Sequence, residues 1–328
     1  MIKFLNKIDD VRSFVISDKK LYWISNDRLY YELTKDEITS IEFPSSVIYL
    51  VEDLIFSGKN FYYDPRNNVV TIIGELEGYY YSSISNNKLT LFSGNDLLLY
   101  NIQMKEIQWK QNYFDNSSVT FIKNNHFVNY SEHQIDCYDF FNNTTIWKLR
   151  NLDFFNSADS FFSQEILLYK DKLFINALSN DIFNNCIVDI STGNVVKEYR
   201  GLYGQMILEG DNLYFLSPDH ISILNTENQE VATYTITDIF ESTEIKRLLF
   251  PRWFIKNGII YFTQSGEVDM HSGSRGAIFG ALDAVSLKIL WYERLSKEHC
   301  IIGTIQVENE KIYLHTQDKI LFVFEKEN

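Results

Sequence analysis

Short apolar runs of strand length, each introduced by a tight polar turn, recur along the whole chain. They read DKKLYW at 18–23, EDLIF at 52–56, NNKLTLF at 86–92, NNHFVNY at 124–130, KDKLFI at 170–175, GDNLYFL at 210–216, NGIIYF at 257–262 and NEKIYL at 309–314. Successive copies lie roughly 34 to 53 residues apart, the period of one four-stranded propeller blade. Asn-Asn, Asn-Gly, Gly-Asp and Asp-Lys pairs between apolar strands suit two-residue hairpins, whose central residues adopt positive φ.

A second pattern follows each of these strands: an apolar run ending in Asp or Asn, a short turn, and a further strand that often bears Trp. It is clearest in LLLYNIQMKEIQW (97–109), IDCYDFFNNTTIW (135–147) and FGALDAVSLKILW (279–291). Asn101, Asp139 and Asp283 precede Trp109, Trp147 and Trp291 by eight positions in each case. IVDISTGNVVKEY (187–199) and ISILNTENQEVATY (221–234) keep the plan without the Trp. The short acidic or amide side chain accepts backbone N–H bonds within its own turn, and the large aromatic is expected to pack between neighbouring sheets.

These residues, and the Leu-Asp-Ala to Leu-Trp wording around Asp283 above all, resemble the blades of the quinoprotein-like (PQQ-type) β-propeller superfamily, over nearly the whole chain. The expected fold is therefore all-β, a single propeller over 1–328 with about eight four-stranded blades. The units lie near 11–43, 47–74, 79–110, 119–149, 165–199, 204–235 and 250–293, with the eighth divided between 302–325 and the N-terminal strand 1–8. Ile2 to Leu5 would supply the outer strand missing beside 319–324 and so close the fold. A seven-bladed count stays open, because the second unit is the least regular.

Composition narrows the function. With 30 basic and 44 acidic residues the formal charge is -14, a field that opposes nucleic acid and anionic membrane and steers in a basic protein partner. Charges at Lys3, Lys7, Asp9 and Asp10 interrupt any secretory h-region, and no apolar run approaches the roughly 18 residues of a membrane span, so the expected location is the cytoplasm. Cys137, Cys186 and Cys300 are odd in number and far apart, as expected of reduced thiols.

The resemblance implies a quinone-dependent dehydrogenase as one enzymatic option, but the chain has no adjacent cysteines of that kind. No C-x-x-C, H-E-x-x-H or D-x-D-x-D-G spacing occurs, so no metal, cofactor or catalytic residue is expected. Gly266 to Gly276 gathers His271, Ser272, Ser274 and Arg275, yet joins two strands rather than opening a helix, and matches neither phosphate-binding nor nucleophile-elbow motifs.

Elaboration is uneven. First-to-second and third-to-fourth turns of a blade leave on one side and are short. The opposite side receives the long segments 150–165, 177–185, 236–250, 264–276 and 294–301. Long loops on a rigid scaffold are a usual binding surface. Phe154, Phe155, Phe161, Phe162, Phe183, Phe240, Arg247, Trp253, His271 and Arg275 are the candidate anchors there. The expected function is non-enzymatic protein binding, most concretely an immunity protein neutralising a basic toxin domain. The alternatives are an enzyme or small-ligand protein using a central channel, with His271 and Arg275 at its mouth, and a structural module of a larger assembly.

Overall fold

The computed structural model describes residues 2–34, 37–85, 88–94, 96–111, 118–121, 126–151, 160–179, 182–245, 247–266, 268–269 and 273–326. Residues 33–34, 82–85, 118–121, 164–165, 268–269 and 273–274 are described by backbone alone. They form eight four-stranded antiparallel sheets, the blades of an eight-bladed β-propeller. The seven-blade count is excluded, since the irregular second unit builds a full sheet from Ile48–Val51, Leu54–Ser57, Phe61–Asp64 and Val69–Ile72.

By packing, the chain divides into two compact units, Glu42–Tyr203 and the combination of Met1–Ile41 with Gly204–Asn328. The first holds blades 2 to 5. The second holds blade 1 (strands from Ser13 onward, all but the final residue Glu42), blade 6 (Gln205 to Thr235), blade 7 (Trp253 to Arg294) and blade 8. Blade 8 is completed as the sequence requires: Ile2–Ile8 pairs antiparallel with Leu321–Lys326, with Ile2 opposite Lys326 and Ile8 opposite Leu321.

Local chemistry accounts for the turns. In the hairpins at Asp18-Lys19, Asn257-Gly258 and Asn309-Glu310 both central residues have positive φ, as a turn matched to strand twist demands. At the third-to-fourth turns the carboxylate of Asp139 accepts N–H bonds from Phe141 and Asn142, Asp189 from Ser191 and Thr192, and Asp283 from Val285 and Ser286. Asn101 and Asn225 accept equivalent bonds. These bonds hold the carboxyl groups of Asp139 and Asp283 below the ordinary range, and for Asp189 the Ser191 hydroxyl bond adds most.

The tryptophans pack against the next sheet as expected. Trp147 donates from Nε1 to the Ile190 carbonyl at 2.8 Å, and its ring lies on Gly193, where any Cβ would strike it. Trp109 meets Phe127 and Tyr138 at 5.7 and 5.9 Å between ring centres. A β-bulge fixes this aim. Leu99, Cys137 and Ala281 oppose Trp109, Trp147 and Trp291, while the residues after them oppose Ile107, Thr145 and Ile289. One residue, Gln108, Ile146 or Leu290, is therefore extra in each blade and stays exposed. Blade 5 repeats the bulge at Val196 without a Trp.

Burial pushes the Cys137 and Cys186 thiols up to about 12, which makes them inert packing groups. His315 is also structural. Its Nε2 lies 2.7 Å from the Val11 carbonyl, and burial keeps the imidazolium disfavoured, so its pKa falls below 6.5. The unfolded ring takes up a proton at higher pH than the folded ring does, so this contribution is complete above about 6.5 and is lost as pH falls below it. Urea midpoints followed from about pH 8 to about pH 5 are expected to fall more steeply for the wild type than for His315→Gln. Parallel slopes would remove His315 from the account.

Candidate functional site

The long connections of blades 6, 7 and 8, all within one unit, are tied into one surface. Thr235 caps the single-turn helix α1, Ile236–Ile239, by accepting the Asp238 N–H at 3.2 Å. The chain then turns inward at Phe240 and anchors Ile245 and Leu248 in the core of blades 6 and 7. Leu248 N–H reaches the Pro218 carbonyl at 3.2 Å, and the Arg247 guanidinium pairs with Asp219 at 3.0 Å.

Glu244 links this segment to the rest. Arg294 donates to it at 2.5 Å and Arg275 stands 3.8 Å away, and these cations, the Arg294 bond first, hold its carboxyl below the ordinary range. The other Arg294 nitrogen donates to the Gly276 carbonyl at 2.9 Å. Gly266 N–H bonds the Cys300 carbonyl at 2.6 Å and Ala277 N–H bonds that of His299 at 2.9 Å. His299 Nδ1 lies 2.7 Å from Asp318. Few of these loops can move without breaking several bonds.

The sequence candidates divide sharply. Arg247 and Arg275 lie on this surface with exposed, ion-paired side chains. Phe240 and Trp253 do not belong to it: Phe240 is 0% and Trp253 5% exposed, and both pack on Phe262. Their role is to hold the loops from beneath. Phe183 is 41% exposed in blade 5, stacked on Tyr203 at 4.2 Å between ring centres. The segment 177–185 around it is a hairpin of long strands, Lys172–Ser179 and Ile182–Asp189, rather than a loop. Phe161 is partly exposed and Phe162 buried. Phe154, Phe155 and His271 lie outside the described residues.

One residue escaped the sequence reading. Phe250 is 80% exposed, and its φ of 46° places a bulky side chain in the left-handed region. Leu287, the other apolar residue with positive φ among the described residues, is buried in its turn. Both sides of Phe250 are pinned. The Leu249 carbonyl accepts the Ser265 N–H at 2.8 Å, and the Arg252 N–H donates to the Thr263 hydroxyl at 2.8 Å, with Pro251 between. Replacing Phe250 with Gly removes the strain and the ring together, so stability is expected to stay level or rise by up to about 1 kcal/mol in urea unfolding. A clear loss would mean that the ring packs rather than projects.

The arrangement offers a rigid polar surface with arginines and one projecting aromatic. Among the described residues, no group of three or more His, Cys, Asp or Glu is placed to hold a metal ion. No protein-family model matches the chain, and no curated protein matches it. Solved structures do. BamB from Moraxella catarrhalis aligns over 99% of this chain and 100% of its own, with a TM-score of 0.61 and 12% identity. Sqt1 from Saccharomyces cerevisiae aligns over 99% of both chains, with a TM-score of 0.66 and 9% identity. The dihydro-heme d1 dehydrogenase NirN, in complex with DHE, aligns over 87% of this chain and 66% of its own, with a TM-score of 0.57 and 10% identity. At such identities the likeness is one of fold, and what the chain shares with all three is the β-propeller itself.

Proposed function

We propose that this propeller is a non-enzymatic protein-binding module of the quinoprotein-like superfamily, and that it grips its partner through the tied connections of blades 6 to 8. The observation that carries this reading is the bonded surface around Glu244, with Arg247, Arg275 and Phe250 exposed on a fixed backbone. Exposed Arg and aromatic groups are the residue types that dominate protein interfaces, and a surface already ordered loses little entropy on binding. A basic toxin domain inside the cytoplasm is the most concrete version, supported by the overall acidity of the chain, with the arginines of this surface left to take the acidic groups that such a domain presents.

Affinity capture from extract of the native host tests the reading, with the intact protein compared with Phe250→Gly and Arg275→Ala. A protein retained in stoichiometric amount by the wild type and lost with the folded variants is the expected result. Equal capture by all three would move the interface elsewhere. A small molecule co-purifying in place of a protein would favour the ligand-binding alternative.

A further inference from the structure

The geometry points to an acidic segment of a protein, centred on an apolar residue, as the partner of the Phe250 projection; this inference rests on the protein-binding reading above. The chain as a whole carries a charge of -14, yet between Glu244 and Glu267 it runs 22 residues without a carboxylate, the longest such stretch it has. Lys246, Arg247, Arg252 and Lys256 fall inside it, and Phe250 lies between the two arginines.

Asp219 neutralises Arg247, and Lys256 is engaged at a distance from the loop by Glu308. The cation of this stretch that has no carboxylate partner among the described residues is therefore Arg252, exposed and two positions from Phe250 in the chain. Arg275 adds to it, since the Glu244 carboxylate 3.8 Å away is shared with Arg294, which bonds it at 2.5 Å, and the Arg275 side chain is 58% exposed. The same connection carries exposed carboxylates at Asp238, Glu241 and Glu244, of which Glu244 is taken up by Arg294 and Arg275.

The aromatic supplies contact area at little entropic cost because its backbone is already pinned on both sides. Arg252 supplies a bidentate donor for a carboxylate. The chain has no other stretch of this length free of carboxylates, so an acidic segment meets least repulsion here. An aromatic beside arginine would also stack a nucleobase, but there the same field opposes every phosphate along the strand.

Fluorescence anisotropy on the full chain decides the matter with three labelled probes: a peptide with a central leucine flanked on each side by glutamates, the same peptide with lysines, and an oligothymidine. The acidic peptide is expected to bind saturably. Arg252→Glu and Phe250→Gly should each weaken it by about tenfold or more, while Arg252→Lys, which keeps the charge but loses the fork, should fall between the wild type and Arg252→Glu. Circular dichroism of each variant establishes that it is folded. Tighter binding of the lysine peptide or of oligothymidine, absence of saturable binding by the acidic peptide, or indifference to Arg252→Glu overturns the inference. If Phe250→Gly abolishes capture of the host partner while the acidic peptide does not bind, the protein-binding reading stands and the assignment of charge falls. If capture survives Phe250→Gly, both fall.

Discussion

Phe240→Ala is expected to lower the free energy of unfolding by about 3 to 5 kcal/mol, the range for deleting a fully buried aromatic. Phe240 caps the end of the helix at 236–239 and meets Phe262 edge-on at 5.0 Å, inside a cluster with Ile236, Ile245, Leu248 and Trp253. Phe262 and Trp253 belong to strands of blade 7 that are bonded elsewhere, so the cavity cannot collapse fully. Urea unfolding gives the number directly. A loss below about 1 kcal/mol would mean that the site relaxes or that the ring is not buried in solution. Any binding defect of this variant is then a consequence of misplaced loops, which is why Phe250 and Arg275 are the sounder probes of the interface.

Gly276→Ala is expected to cost about 3 kcal/mol, toward the upper end for forcing atoms into a packed interior. A Cβ at this position would overlap the carbonyl oxygens of Leu295 and Ser296, which are backbone and cannot swing aside. The strands that would have to part are held by Ala277 N–H to the His299 carbonyl, Leu295 N–H to the Ala277 carbonyl, and Arg294 to Gly276 itself. Displacement also unseats Arg294 from Glu244, so the loop surface should loosen before the blades do. Gly74→Ala serves as the control, because no atom lies within 4 Å of its Cβ position and its φ is not in the left-handed region. Denaturant midpoints should separate the two glycines widely. If Gly276→Ala is as benign as Gly74→Ala, the close approach of the two connections is wrong.

The repeat was legible because it is written in local chemistry. Asp139, Asp189 and Asp283 bond their own turns, and Asn-Gly or Asp-Lys pairs permit positive φ, whatever surrounds them. The bulge before each Trp was not legible, although it is implied by the eight-residue spacing, since nothing in Ile146 or Leu290 marks it as the residue left out of register. The loop aromatics show the same limit. One helical turn at 236–239 is too short for a period, so Phe240 gives no sign of which way it faces. Phe250 sits in Leu-Leu-Phe-Pro, an unremarkable apolar run, and its backbone is dictated by bonds from Ser265 and Thr263, more than ten positions away.

The pairing of Ile2–Ile8 with Leu321–Lys326 has a kinetic corollary. The Val11 carbonyl and His315 that sit beside this seam are separated by 304 positions, so their union demands nearly the largest loop closure the chain can make. Three strands of blade 8 form from near neighbours, whereas the fourth must wait for the earliest segment to come round. Until it does, Leu-Phe-Val-Phe presents an open apolar edge that the first strand of another copy can fill equally well. Refolding at high concentration is thus where exchanged, strand-swapped dimers should first be seen.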